Sequence, residues 1–125
     1  MKTRLFAFIV LITVIMTGIF LWFFSDHNQN NDFTIPFVLS VLFTLSFSIL
    51  TELQIKNIVF ATTIGVIIAL IIKIIIDTQF DPTSHNLFPF EILIDLIFIL
   101  IASLIGAGIG FIYRRFRKRN LMDNK

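Results

Sequence analysis

"LFAFIVLITVIMTGIFLWFF", residues 5–24, is the stretch of this sequence that decides the class of fold. It contains no charged residue, and a helix needs roughly 20 apolar residues to cross about 30 Å of hydrocarbon. Lys2 and Arg4 precede it, as basic residues precede the apolar core of a signal peptide. That core usually has about 7–15 residues and ends at small residues, whereas bulky Trp22 and Phe23 stand at this end. The run therefore predicts a retained membrane-spanning helix.

Three further apolar runs have similar length: residues 33–50, 58–76 and 90–113. The chain of 125 residues is 57% hydrophobic and 14% charged, against about 45–50% and about 25% in a soluble domain. A chain this short cannot bury such an excess in a soluble core. We expect an all-α membrane protein, a four-transmembrane-helix antiparallel bundle forming a single integral membrane domain over residues 1–125. Residues 25–32 and 77–89 would be outer loops, and residues 114–125 a cytoplasmic basic tail.

The basic residues predict an orientation. Apart from Lys73, they all fall on one side of the four-helix arrangement: Lys2, Arg4, Lys56, Arg114, Arg115, Arg117, Lys118, Arg119 and Lys125. The two predicted outer loops contain neither lysine nor arginine. The positive-inside rule then places both termini in the cytoplasm, in a multi-pass protein of the bacterial inner (plasma) membrane. The bias also argues against dual topology.

Small residues recur every four positions in the second half of the chain, on two predicted helices: Ala61, Gly65 and Ala69, then Ala102, Gly106 and Gly110. Such ridges let membrane helices approach closely. They predict either a homo-oligomer interface or contact between the third and fourth helices of one chain. We favour contact within the chain, because the outer loop already ties these two helices together.

Hydroxyl residues show the same four-residue spacing on the first two predicted helices: Thr13 and Thr17, then Ser40, Thr44 and Ser48. Such hydroxyls either line a water-filled path or bond to a backbone carbonyl or a neighbouring helix. A packing role is the favoured interpretation.

Lys73, Glu91 and Asp95 are charges inside the apolar runs or at their edge. In an antiparallel pair of helices, Lys73 and Asp95 have matching depths. A charge within the membrane costs a few kcal/mol unless it is paired or reaches water. We therefore predict an intramembrane charge cluster in which Lys73 lies against Asp95, Glu91 or both, either as a structural pair or as an outward-facing polar pocket.

Asp77, Asp81 and His85 form a candidate cation site in the second outer loop. Carboxylate oxygens suit Ca²⁺ or Mg²⁺, and a histidine would admit Zn²⁺. Other residues could add to it: Glu91, and Asp26, His27 and Asp32 of the first outer loop. The spacing matches no recognised metal motif, so a solvated acidic loop is favoured and no cofactor is expected.

No motif indicates catalysis. The sequence lacks HExxH, GxSxG and a phosphate-binding glycine loop, and Ser84 and His85 are adjacent in sequence instead of forming a positioned nucleophile and base. We expect a protein without enzymatic activity and without cysteine chemistry, since the chain has no cysteine.

"RRFRKR", residues 114–119, follows the last apolar run. Its five bases, Arg114, Arg115, Arg117, Lys118 and Arg119, can attract anionic lipid headgroups at about 1 kcal/mol each. A role in fixing the orientation of the last helix in the membrane would also be enough to account for these basic residues. Nucleic-acid binding is not expected, because no domain supports it.

"DPTSHNLFPFE", residues 81–91, resembles a loop of small, uncharacterised bacterial membrane proteins with four predicted helices. The resemblance covers little beyond the third and fourth helices, implies the four-helix architecture and brings no activity. Small multidrug exporters carry an essential glutamate in the first helix, whereas residues 5–24 contain no acid. Small fluoride channels tend toward dual topology, which the charge bias opposes.

Two functions are compatible with these patterns. The favoured one is a non-enzymatic membrane protein that is an accessory or scaffold subunit of a membrane complex, or a homo-oligomer. The alternative is a small ion or solute transporter or channel that uses a pocket of Lys73, Glu91 and Asp95. A loop that binds a cation or an outer partner is a weaker third interpretation.

Overall fold

The computed structural model describes residues 2–24, 34–83 and 87–123. Within these residues the chain is all-helical, with four helices: α1 (Lys2–Phe24), α2 (Thr34–Leu50), α3 (Ile55–Phe80) and α4 (Phe88–Asp123). By length and composition, α1, α3 and α4 can each cross a membrane, whereas α2 is apolar but shorter, with 17 residues. The all-helical architecture predicted from the sequence is confirmed.

The third and fourth helices extend beyond the apolar runs that predicted them. α3 begins before residue 58 and continues past residue 76 to Phe80, where the Asp81 N–H still donates to the Asp77 carbonyl at 2.9 Å. α4 continues through the basic segment to Asp123, so the part of this segment that the structure describes is helical and not an extended tail. Asp77 accordingly lies in the last turn of α3 and not in a loop.

The helices pair in an order that differs from their order in the chain. The most extensive packing joins α2 to α4, followed by α1 to α3 and α3 to α4. The helices joined by the short link at residues 51–54, α2 and α3, make fewer contacts with each other. A short link therefore leaves α2 and α3 in contact, but the principal partner of each is another helix.

Helices α1 and α3 run parallel to each other. Ile9 packs in a cluster with Ile58 and Ala61, and the later residue Leu21 packs with Val66 and Leu70. Contacts therefore advance along both helices in the same direction.

Helices α2 and α4 are also parallel, and both pairs use the same contact. A Cβ added to Gly65 of α3 would lie 2.7 Å from Thr13 Cβ and 3.0 Å from the Val10 carbonyl oxygen of α1. One added to Gly106 of α4 would overlap Thr44 and the Val41 carbonyl of α2. In each pair, a glycine of the later helix faces a carbonyl at one position and a hydroxyl residue three positions further along.

Gly110 repeats this contact one turn later, facing Leu45 and Ser48 of α2. The small residues do pack within the chain, but not between the helices we expected. Gly106 and Gly110 face α2 and Gly65 faces α1, so the prediction of a seam between α3 and α4 is wrong for all three. The reason is that the small-residue ridge of α4 matches the hydroxyl ridge of α2, which has the same four-residue spacing.

The link between α2 and α3 closes one end of the bundle. Leu53 is only 4% exposed and packs with Ile9, Ile58 and Ala61. Leu5, Phe6, Val10 and Phe47 surround this cluster. The end that holds the start of α1 and the end of α2 is therefore sealed by apolar side chains, while the candidate charged residues lie at the opposite end.

Candidate functional site

The charged end of the bundle contains an ion pair within α3. Lys73 Nζ lies 2.6 Å from Asp77 Oδ2, and the side chains are 18% and 35% exposed. The two residues are one helical turn apart, a spacing that brings side chains together on a helix surface. The structure thus gives Lys73 a partner that the sequence interpretation had assigned to a loop cation site.

The predicted cluster also includes Glu91 and Asp95 of α4. α3 and α4 run antiparallel, because Thr63 Oγ1 donates to Ser103 Oγ at 3.3 Å and Leu70 packs near Ile99. Lys73 lies ten residues, or about 15 Å, beyond Thr63 along α3. Asp95 and Glu91 lie about 12 and 18 Å from Ser103 along α4. Measured along the helix axes, Lys73 therefore lies between these two half-buried acids. Their pairing with Lys73 stays a prediction.

The loop after α3 is organised by Asp81. Asp81 Oδ1 accepts hydrogen bonds from the Thr83 backbone N–H at 3.0 Å and from Thr83 Oγ1 at 2.7 Å, which is the local turn chemistry expected of an aspartate before a proline. His85 of the candidate cation site, and Asp26, His27 and Asp32, lie outside the described residues. Among residues 2–24, 34–83 and 87–123, no group of three or more His, Asp or Glu side chains could hold a metal ion.

The interior contains many hydroxyls, all at most 5% exposed: Thr13, Thr17, Ser40, Thr44, Ser48, Thr62, Thr63 and Ser103. Several bond to their own helix. Thr13 donates to the Ile9 carbonyl at 2.7 Å, Ser40 to the Pro36 carbonyl at 2.7 Å, and Thr44 to the Ser40 carbonyl at 2.6 Å. This bonding supports the packing role that the sequence interpretation favoured for these three residues.

Three buried hydroxyls are different. Thr17, Ser48 and Thr62 have no hydrogen-bond partner for the side-chain oxygen within the described part of the chain. A buried hydroxyl without a partner costs about 1–3 kcal/mol, and such groups in native proteins usually meet an ordered water. Thr62 lies on the same face of α3 as Ala69 and Lys73, by helical periodicity.

Arg114 makes a contact that sequence reasoning missed. Its Nη1 donates to the Thr51 carbonyl at 2.9 Å, and its guanidinium lies 5.9 Å from the centre of the Phe111 ring. Thr51 directly follows α2, where free carbonyls give the helix end a partial negative charge that favours a cation. This role of Arg114 could not be predicted from the sequence, because nothing in "RRFRKR" distinguishes Arg114 from the four other basic residues.

Comparison with protein-family models, with curated proteins and with solved structures gave no match to this chain. Three structural features remain as indications of function: the geometry of the four helices, the Lys73–Asp77 pair and the buried hydroxyls.

Proposed function

We propose that this chain is a small polytopic integral membrane protein without enzymatic activity that works by lateral association. In this role it is an accessory or scaffold subunit of a membrane complex, or a homo-oligomer. The supporting observation is the tight packing of the interior: Gly65, Gly106 and Gly110 bring helix backbones into contact, and Leu53 fills one end. A protein whose interior is filled by its own helices has its outer surface available for interaction.

We further propose that all four helices span the bacterial inner membrane with both termini in the cytoplasm. The 17 residues of α2 cover about 26 Å at 1.5 Å per residue, which is near the hydrocarbon thickness of about 30 Å. The basic residues at the end of the bundle with Leu53 favour the cytoplasmic side for that end.

The ion pair also supports a structural role. Lys73 and Asp77 neutralise each other within one helix, which lowers the cost of holding a charge near the apolar region without requiring a substrate.

Affinity purification of the tagged protein in mild detergent from its native host, followed by native mass spectrometry, tests the proposal. A second protein in fixed stoichiometry, or a defined homo-oligomer, is the expected result. The variant Leu53→Ala is the matched control for specificity, because Leu53 is buried inside the bundle and its loss should not remove a partner from the outer surface. A chain that is a monomer without any partner would refute lateral association.

A second function is favoured by one specific observation. Thr17, Ser48 and Thr62 are buried hydroxyls without a partner in the described residues, and such groups can hold waters in a polar path. The alternative is thus a small ion or solute transporter or channel entered at Lys73, Glu91 and Asp95. Flux into liposomes that is lost in Lys73→Met and Asp95→Asn would support this function, and the absence of flux would exclude it for the ions tested.

A further inference from the structure

The outward face of α4 joins an apolar stripe to two arginines. Five residues follow one another at alternating spacings of four and three: Ile101, Ile105, Gly108, Ile112 and Arg115, with Arg119 one turn further. This spacing keeps them on one side of a helix. The opposite side, which includes Ser103, Gly106 and Gly110, is buried. The three isoleucines are 45–56% exposed, and both arginines are exposed.

The helix is continuous across the change from apolar to basic residues. α4 runs without interruption from Phe88 to Asp123, so the relative positions of the isoleucines and the arginines are fixed by helix geometry. Arg114, bonded to the Thr51 carbonyl, ties this part of α4 to the end of α2.

In the proposed membrane orientation, the arginines lie at the depth of lipid phosphates. From Arg114 to Arg119, α4 advances about 7.5 Å at 1.5 Å per residue. The headgroup layer on one side of a bilayer is about 5–8 Å thick, the difference between the total and the hydrocarbon thickness divided by two. With the hydrocarbon boundary placed at Arg114, where the basic residues begin, Arg115 and Arg119 fall inside this layer, which favours a headgroup over a protein from the aqueous side.

Gly108 leaves a shallow notch in the same face. A Cβ added there would meet no atom within 4 Å, unlike Gly106 and Gly110. The packing of this chain does not require a glycine at this position. Gly108 lies seven residues, or about 10 Å, before Arg115 along the helix, a separation that places it beside the acyl chain of a lipid whose phosphate meets Arg115.

We propose that this face binds one anionic phospholipid lengthwise. Arg115 and Arg119 hold the headgroup phosphate, and the acyl chain lies along Ile101, Ile105, Gly108 and Ile112. The guanidinium group suits phosphate because its planar donors bind two oxygens at once. The proposal rests on the membrane orientation proposed above, and it is the same whether the bundle is a subunit or a transporter.

The chain offers a matched control for this site. Arg117 and Lys118 are also exposed, but the 100° rotation per residue places them with Arg114 on the bundle side of α4. The double variant Arg115→Gln/Arg119→Gln and the double variant Arg117→Gln/Lys118→Gln lose the same charge from the same depth. Only the first removes bases from the face with the isoleucines.

The experiment is native mass spectrometry of the full chain in detergent, titrated with phosphatidylglycerol, with phosphatidylcholine and with inorganic phosphate. We expect one tightly bound phosphatidylglycerol. In Arg115→Gln/Arg119→Gln, the dissociation constant should rise about 30-fold, since each base near an anionic lipid contributes roughly fivefold. In Arg117→Gln/Lys118→Gln, it should rise by no more than about threefold, because more distant charges are screened by salt.

Several results would overturn the proposal. Equal losses in the two double variants would mean attraction by net charge alone, and equal binding of phosphatidylcholine would show that no anion is selected. Complete displacement by inorganic phosphate would indicate a free-phosphate site. A dimer that excludes lipid and dissociates in Gly108→Leu would place a second copy on this face.

A separate measurement covers the case in which Arg115→Gln/Arg119→Gln does not fold. The variant Arg115→Lys/Arg119→Lys keeps the charge and loses the planar donors. Binding of phosphatidylglycerol several-fold weaker than in the unmodified chain supports the site, and unchanged binding contradicts a guanidinium–phosphate contact.

Discussion

Gly106 of α4 lies so close to Thr44 of α2 that a single added Cβ would overlap the threonine hydroxyl oxygen. The Thr44 hydroxyl donates a hydrogen bond to the Ser40 carbonyl at 2.6 Å, so it has little freedom to move aside. In the other parallel pair of helices, a Cβ added to Gly65 would meet the Cβ and the methyl carbon of Thr13. At these contacts the backbones of the paired helices approach each other closely.

Gly106→Ala should therefore destabilise the protein. Overpacking of a filled interior typically costs about 1–3 kcal/mol, and here the obstacle includes the Val41 carbonyl, which belongs to backbone. Gly108→Ala is the matched control, because an added Cβ there meets nothing within 4 Å. Unfolding in mixed detergent micelles, followed by circular dichroism, measures both. Equal stability of the two variants would contradict the tight α2–α4 contact.

Arg114→Gln should lower stability more than Arg115→Gln. Arg114 donates to the Thr51 carbonyl, and a hydrogen bond from a charged group at a helix end contributes about 1–2 kcal/mol. Arg115 is exposed, so its replacement should leave the unfolding free energy nearly unchanged. The same micelle unfolding assay compares them, and a stability loss confined to Arg115→Gln would refute the role assigned to Arg114.

Thr63→Val should lower the stability of the bundle, whereas Thr62→Val should not. Thr63 bonds to Ser103 across α3 and α4, and such interhelical bonds contribute about 0.6 kcal/mol on average. The buried Thr62 hydroxyl has no partner in the described residues, so a valine of the same shape should be neutral or stabilising. If Thr62→Val instead costs about 1 kcal/mol or more, the hydroxyl holds a water, and the polar-path function gains support.

Lys73→Glu should destabilise the bundle by a few kcal/mol. It removes the partner of Asp77 and adds an acid at the level of Glu91 and Asp95. Adding Asp95→Lys should restore part of the loss if the two helices pair at this level. Unfolding midpoints of the single and double variants test this, with Asp95→Lys alone as the control. A double variant no more stable than Lys73→Glu would exclude pairing of Lys73 with Asp95.

The proposed orientation predicts an asymmetric labelling pattern. The chain has no cysteine, so Thr83→Cys and Lys118→Cys each supply one thiol at opposite ends of the bundle. In intact cells a membrane-impermeant maleimide should label Thr83→Cys, whereas Lys118→Cys should react only after permeabilisation. The reverse pattern would invert the proposed topology, and labelling of both in intact cells would indicate dual topology.

The helices could be predicted from the sequence, but their pairing could not. Residues 5–24 and 58–76 are recognisable as helices because a membrane span requires a long, predominantly apolar stretch. The four-residue spacing of Gly106 and Gly110 also predicts a surface for close helix packing. Which helix packs against this surface depends on which one has a ridge of side chains with the same spacing. In this structure that helix is α2, with Thr44 and Ser48. The length of a connecting loop says nothing about this complementarity.

The charged site was predictable only in part. The sequence singled out Lys73 because a lysine within an apolar run is costly. It missed Asp77 as the partner, because the polar residues after position 76 were interpreted as a loop although α3 continues to Phe80. An i,i+4 spacing of lysine and aspartate was the available signal. Arg114 offered no such signal, since its contact is with a backbone carbonyl 63 positions earlier in the chain.

The interleaved pairing of helices has a consequence for biogenesis. A chain emerging from the ribosome delivers its N-terminal segments first, yet α1 pairs mainly with α3 and α2 with α4. In the proposed four-span arrangement, the first hairpin therefore enters the lipid before the helices that pack against α1 and α2 have been synthesised. It must persist as separately inserted helices until α3 and then α4 arrive. Assembly is complete only after the last helix has been synthesised. An insertase or chaperone that covers the surfaces of α1 and α2 on which Gly65, Gly106 and Gly110 later pack would act during that interval.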